Sequence, residues 1–419
     1  MTQARRSIGT AAMLPFVLAA AAPAFAQHTV PAPASQAITA AIGAHVVPLV
    51  THVSPIFAGK AKTEAYLTQP TLLGTATALG GALQLNAAIS LEGLTLERGE
   101  LAAGAFGEGY VDRRHPHTYL HELVLSARHD VAGVAGSVAA GRGFAPFGTD
   151  DPMMRPFVKF PVNHHLGQVL ERLIAVAGVR AGPVLLEVGV FNGDEPLDPG
   201  SVGSLKRFGD SWSARATVFP LAGIELQASR ARLESPEMQT GGGWDQHKWS
   251  AAARYERVHP FGSVYTLVEW NRTTQVDRGS DIFSFGSVLA EASLNVSGWR
   301  PGIRLERAER PEEQRLNDPF RTPWPHGGGH VLGITRWTVA SARLERTIRL
   351  GTIHIAPFAE GSMSHVTETA DGPFAPGELY GSTRIWTLNI GARMRAGWHP
   401  ARMGRYGVAA PPAAAAHEH

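Results

Sequence analysis

"LQLNAAISLE", residues 83–92, places Leu83, Leu85, Ala87, Ile89 and Leu91 on one side of an extended chain. Gln84, Asn86, Ala88, Ser90 and Glu92 take the other side. A helix would scatter both sets, because only a strand sends successive side chains to opposite faces. The period recurs. "SWSARATV" sets Trp212, Ala214, Ala216 and Val218 against Ser211, Ser213, Arg215 and Thr217. "KWSAAARYE" sets Trp249, Ala251, Ala253 and Tyr255 against Ser250, Ala252, Arg254 and Glu256. "RIWTLNIGARMR" sets Trp386, Leu388, Ile390, Ala392 and Met394 against Thr387, Asn389, Gly391, Arg393 and Arg395. Alternation in segments of about ten residues is the signature of strands that cross a membrane.

A soluble β-sandwich also has one polar face. Three features point away from it. The apolar rows often begin or end on Trp or Tyr, as an interfacial girdle requires. The polar rows mix Arg and Glu with small residues, as a wet and crowded lumen requires. The linkers also alternate in length. Short ones fall near 128–131, 179–182, 220–223, 260–262, 296–299 and 350–352, and long ones near 93–118, 145–167, 192–206, 234–247 and 309–330. Short periplasmic turns and long extracellular loops give that rhythm. The expected fold is an all-β transmembrane antiparallel β-barrel. About 15 strand-like segments lie between residues 62 and 398, and single-chain bacterial barrels favour even numbers. "AHVVPLVTHVSP" (44–55) supplies one more, for 16 strands; 14 is the alternative count.

The N-terminus reads as a leader. A basic pair, Arg5 and Arg6, precedes an apolar run over 11–22 and an "AFA" cleavage pattern, so residues 1–26 are expected to be a signal peptide. Residues 27–57 form a lead with a candidate first strand, 58–398 the barrel, and 399–419 a low-complexity tail expected to be disordered. Removing Arg5 and Arg6 from 38 Lys+Arg leaves 36, which equals the 36 Asp+Glu. With charges of both signs spread along the chain and no basic run, no nucleic-acid partner is expected. Cysteine is absent, so an exported chain gains no disulfide support. After the leader no stretch has 18 consecutive apolar residues, which excludes a helical span. The expected setting is the outer membrane, with lipid, lipopolysaccharide and the barrel-insertion machinery as partners. A 22-stranded energised transporter with a plug domain does not fit the length.

"DRRHPHTYLHEL", residues 112–123, concentrates candidate chemistry. Residues 118–130 read as a strand descending from an outer loop. Glu122 and Arg128 on one face must point to the lumen, since a charge at the lipid midplane costs about 2–4 kcal/mol. Tyr119 and His121 then belong to the outer girdle, with His115 and His117 just above. An H-x-H pair on extended backbone sends both imidazoles one way and could bracket Zn²⁺ or Cu²⁺. His164, His165, Asp150 and Asp151, in the next outer loop, could complete that site. The competing reading is a hydrogen-bonded network in which Asp112, Arg113, Arg114 and Glu122 hold a loop inside the barrel. No cofactor is required by it.

Catalysis is not expected. There is no G-x-S-x-G nucleophile motif and no cysteine. An Asp-His pair from Asp150 or Asp151 is the only water-activating arrangement on offer. "GRGFAPFGTDD" lacks a P-loop lysine. "FNGDEPLDPGS" is turn chemistry, with Asp194, Glu195 and Asp198 as a weaker Ca²⁺ loop. Glu171, Arg172, Glu187, Arg215, Arg254, Glu256, Glu269, Arg304, Glu306, Arg343, Glu345 and Arg393 alternate away from apolar neighbours and are expected to line the lumen. Facing rows of arginines and carboxylates would screen permeants by charge and size.

"GEGYVDRRHPHTYLHE", "RGFAPFGTDDPMMRP", "VNHHL", "EVGVFNGDEP", "GDSWSARATVFP" and "LESPEM" together resemble a poorly characterised family of Gram-negative outer-membrane barrels that carries a DR-x-HPH segment. The likeness runs over about residues 65–255 and implies a porin-like barrel with no settled activity. "GRGFAPFG" and "VFNGDEP" are also distantly similar to phosphate-selective porins, a likeness that implies a homotrimer. The chain departs from those porins in having no lysine-rich constriction: Lys60, Lys62, Lys159, Lys206 and Lys248 are all it has. It also ends on His419 rather than on the aromatic residue typical of such barrels. The expected function is a porin-like channel for passive diffusion of small polar solutes or ions, partly occluded by the His-bearing loops 112–121 and 150–165. Outer-membrane Cu or Zn handling is the alternative, and a hydrolase in the barrel mouth the third.

Overall fold

The structure, a computed structural model, describes residues 38–96, 99–103, 117–162, 164–196, 198–313, 331–369 and 375–410. The strands are β1 (Thr39–Ser54), β2 (Lys62–Ala78), β3 (Leu83–Ser90), β4 (Leu120–Val131), β5 (Val134–Gly143), β6 (Arg172–Ala181), β7 (Val184–Phe191), β8 (Ser211–Val218), β9 (Ile224–Leu233), β10 (Asp245–His259), β11 (Gly262–Asp277), β12 (Ser280–Asn295), β13 (Trp299–Glu313), β14 (Val331–Arg346), β15 (Ile348–Leu350), β16 (Ile353–Glu368) and β17 (Arg384–Gly397). Each span pairs antiparallel with the spans before and after it in the chain. β14 and β15 are two stretches of one span broken at Thr347, and both pair with β16. β1 closes on β17 from Gly43↔Gly397 to Ser54↔Trp386. The result is a closed barrel of 16 spans, the higher of the two counts read from the sequence. Closure leaves no unpaired edge, which a lipid-facing sheet cannot tolerate.

The polarity of the wall is inverted relative to a soluble protein. Leu85, Leu125, Val188, Trp249, Trp270, Ile303, Leu305, Trp386 and Ile390 are exposed on the outside. Their strand neighbours Ser126, Glu187, Ser250, Asn271, Arg304 and Asn389 are buried inside. Apolar-out and polar-in is the arrangement lipid demands. Among the described residues no helix is long and apolar enough to cross a membrane, so the crossing is made by strands.

One rim carries the short turns, for example at 132–133, 182–183, 260–261 and 351–352, and the other carries the long connections at 91–119, 144–171, 192–210 and 369–383. Two sequence boundaries shift. β13 continues to Glu313, beyond the loop start expected at 309, and β11 and β12 join at the long-loop rim through only Arg278 and Gly279.

The expected disordered tail is corrected for residues 399–410. β17 ends at the short-turn rim, and the chain then turns back into the lumen. Met403, Arg405, Tyr406 and Val408 are buried there. The alanine-rich composition that suggested disorder begins only at 409, while "RMGRYGV" (402–408) carries two arginines and a tyrosine that find partners inside.

Candidate functional site

Two segments meet inside the barrel. The β5–β6 connection, residues 144–171, crosses from one wall to the other. Val158 and Lys159 donate their backbone N–H groups to Glu360 on β16 at 2.9 and 3.1 Å. Val162 donates to Glu306 on β13 at 2.9 Å. Arg304 donates to the carbonyl of Lys159 at 2.8 Å, and Arg393 on β17 to that of Pro156 at 2.9 Å. Arg155 reaches Glu269 on β11 at 2.9 Å. These wall charges therefore hold an inward loop by its backbone as well as by side chains. Gly148 allows the crossing: its φ is +65°, and a Cβ there would overlap the carbonyl of Gly167.

The tail enters from the opposite end. Arg402 donates to both oxygens of Asp150, at 2.8 and 2.9 Å, and also to Glu225 on β9. Arg405 reaches Glu225 and Gln227 at 3.2 and 2.6 Å. The Tyr406 hydroxyl donates to Glu122 at 3.0 Å and accepts from the Phe144 N–H. Arg254 on β10 lies 2.5 Å from Asp150. Burial pushes the Asp150 carboxyl up, but the guanidinium groups of Arg254, Arg402 and Arg405 more than offset it and hold it well below the usual carboxylate range. Burial, with Arg215 and Arg402 nearby, presses Arg405 down to about 9.

The lumen is thereby divided. Against β4–β9, Val124, Ala139, Ile174, Val176 and Phe191 pack on Ala145, Phe147, Val169 and Tyr406 in an apolar core. Glu187 and Arg215 form a two-point pair there, 2.7 Å at each contact. Against β13–β17 the interior is mixed: Trp337, Val339, Val366 and Ile385 form a second apolar cluster, and Val158 of the loop packs on Phe358. A space of about 80 Å³ is left there, lined by Lys159, Arg304, Glu306, Arg310, Ser341 and Ser362, among others. Toward the short-turn rim the same wall carries Arg300, Arg343, Arg393 and Arg395 beside Glu345 and Glu360. Arg300 lies 3.7 Å from Glu345, Arg343 is hydrogen-bonded to Glu345, and Arg343 lies 3.9 Å from Glu360. The Nε groups of Arg343, Arg393 and Arg395 have no hydrogen-bond partner among the described residues.

The other expected lumen residues divide as follows. Glu122, Glu171, Arg172, Glu269, Arg304 and Glu306 are buried. Glu256 is half-exposed near its rim. Arg128 is a correction: it lies on the inward face but past the end of the lumen, 45% exposed and paired with Asp130 beside the turn. Arg172 pairs with Glu195 at 3.0 Å, and Asp194 accepts from Asn192, so the expected Ca²⁺-loop residues stabilise their own loop.

The histidines also divide. Asp112, Arg113, Arg114 and His115 lie outside the described residues. His121 does not sit in the lipid-facing girdle. The β3–β4 register slips between Ala88↔Glu122 and Ile89↔Leu120, leaving His121 as the extra residue of a bulge. A bulge re-aims a side chain, and His121 turns inward beside Glu122 at 1% exposure. Its Nδ1 is 2.8 Å from Glu171 and its Nε2 3.2 Å from Asp151. His117 lies against it, ring centroids 4.6 Å apart, with Nδ1 2.9 Å from Glu92. Burial raises the Glu171 carboxyl, but its hydrogen bond to His121 and the charges of His121, His117 and Arg142 hold it at about 2. His164 and His165 lie against each other beyond Phe160, ring centroids 4.1 Å apart and tilted by 38°, and Asp150 is taken by arginines. Strict alternation could not have shown the bulge, and alanine-rich composition hid Arg402, Arg405 and Tyr406.

No family model and no curated relative matches the chain, so neither the DR-x-HPH likeness nor the phosphate-selective one gains support. Solved structures do match. An anion-selective porin from Comamonas acidovorans aligns with a TM-score of 0.50 at 11% identity, over 86% of this chain and 100% of that one. Pseudomonas putida OprB aligns at 0.49 and 11%, over 86% and 94%. OmpT of Vibrio cholerae, in its trimer form, aligns at 0.48 and 9%, over 86% and 100%. The chain has the fold of bacterial outer-membrane porins. That fold, with this apolar belt, belongs in the bacterial outer membrane.

Proposed function

We propose that the protein is a passive channel for small polar solutes that favours anions and is partly occluded by its 144–171 loop and its C-terminal tail. The observation that carries this is the division of the lumen. Loop and tail pack the β4–β9 side into an apolar core, while a space lined by Lys159, Arg304, Glu306 and Arg310 is left against β13–β17. Toward the short-turn rim of that side Arg300, Arg343, Arg393 and Arg395 face Glu345 and Glu360, so a small anion there gains more than a cation. The Comamonas structure is of an anion-selective porin; here the preference is inferred from Arg300, Arg343, Arg393 and Arg395.

The test is ion conductance of the folded full chain in a planar bilayer under a salt gradient. Stepwise conductance with a reversal potential on the anion side is expected. A folded protein that conducts nothing, or that prefers cations, overturns the reading.

A further inference from the structure

We infer that His117, His121 and Asp151 form a binding site for a divalent transition-metal ion, Zn²⁺ or Cu²⁺, that fastens the inward loop to the barrel wall. The three offer ligand atoms that all lie within 4.8 Å of one another, and all three are buried. Donors about 2 Å from one ion stand roughly 3.3 Å apart in tetrahedral geometry. His121 Nε2 and Asp151 Oδ2 are already at that spacing, 3.2 Å. Two imidazoles and a carboxylate suit Zn²⁺, and imidazole also suits Cu²⁺.

The surroundings point the same way. A metal-binding imidazole usually spends its other ring nitrogen on a carboxylate, which fixes the tautomer and strengthens the donor. Here both do. His121 Nδ1 faces Glu171 at 2.8 Å and His117 Nδ1 faces Glu92 at 2.9 Å. Both carboxylates are themselves held: Glu171 accepts the Thr118 N–H at 2.8 Å and Glu92 accepts the Gln69 N–H at 2.8 Å. The Nε2 of each imidazole is thus the nitrogen left to meet Asp151. Asp151 is fixed as well, its other oxygen accepting the Met153 N–H at 2.8 Å. The bulge that turns His121 inward costs ladder pairing and brings His121 to Asp151 and Glu171.

An ion here would join the start of β4 to the loop that crosses the lumen. This goes beyond the channel reading and can fail independently of it, since its readout is bound metal. His164, His165 and Asp150 take no part in the site.

The experiment is metal content of the folded full chain after Zn²⁺ loading and dialysis against metal-free buffer. Co²⁺ absorption in the visible serves as a second probe. About one equivalent retained, with a tetrahedral Co²⁺ band, is expected. His121→Ala and Asp151→Asn should release it, and Glu171→Gln should weaken binding about 10- to 100-fold as a positioning residue. His164→Ala with His165→Ala, and a chain ending at residue 410, should retain it. If the wild-type chain holds no ion, the network is a protonated imidazole held between carboxylates and the proposal fails. It fails equally if the ion leaves with His164 and His165 or with residues 411–419. Should His121→Ala not fold, the wild-type Co²⁺ band and the Glu171→Gln affinity still decide.

Discussion

Arg402 grips both carboxylate oxygens of Asp150, at 2.8 and 2.9 Å, and so ties the tail that enters from the short-turn rim to the loop that enters from the other. The two partners are not equally replaceable. Without Arg402, Asp150 keeps Arg254 at 2.5 Å, and Glu225 keeps Arg405 at 3.2 Å. Without the Asp150 charge, Arg254, Arg402 and Arg405 crowd one another, and among the described residues Glu225 is the one carboxylate left in hydrogen-bond contact with them. Stripping one partner from a buried ion pair typically costs about 3–5 kcal/mol. Asp150→Asn should therefore lower the urea midpoint of the folded barrel well below that of Arg402→Ala. Equal midpoints would mean that Asp150 is not the hub of this cluster.

Arg402→Ala should instead loosen the tail. The expected outcome is faster tryptic cleavage at Arg405 and a larger single-channel conductance, with the barrel still folded. Unchanged cleavage and conductance would show that Arg405 and Tyr406 alone seat the tail.

Gly404 offers the same test without touching a charge. Its φ is +73°, and a Cβ would lie 2.9 Å from the Phe144 ring. A β-branched residue at positive φ is strained even in open space. Gly404→Val should unseat the tail and reproduce the conductance of Arg402→Ala. If Gly404→Val closes the pore further, the tail does not occlude it.

The barrel was legible because lipid imposes a simple rule, and Leu85, Trp249 and Ile390 follow it residue by residue. The inside was less so. Glu187, Arg215, Arg304 and Arg343 could be assigned to the lumen by parity, but the hold of Arg304 on the Lys159 carbonyl, in a loop distant in sequence, could not be read that way. Parity itself fails at His121, where one inserted residue reverses the face for the top of β4. Arg128 obeys parity yet lies beyond the lumen, since alternation fixes a face and not a depth.

Arg395 tests the selectivity proposal with little structural risk. Its Nε has no hydrogen-bond partner among the described residues, and its strand partners are His45 on β1 and His354 on β16. Removing its charge leaves Glu345 and Glu360 with Arg343. Arg395→Gln should fold as the wild type does and shift the reversal potential toward the cation side. No shift would place the permeation route elsewhere.

The bulge in β4 makes opposite predictions for neighbouring residues. Leu123 and Leu125 are exposed on the lipid side, so Leu125→Arg should cost about 2–4 kcal/mol if it lies near the midplane. Unbroken alternation would put His121 on that same lipid-facing side, and His121→Leu would then stabilise the barrel. In the folded chain His121 lies between Glu171 and Asp151, and leucine there would strand two buried carboxylates. His121→Leu should therefore destabilise by about 3–5 kcal/mol, the usual cost of breaking a buried pair. Folding titrations into lipid vesicles would measure both variants. A stabilised His121→Leu would remove the bulge, and with it the inward histidine on which the metal site depends.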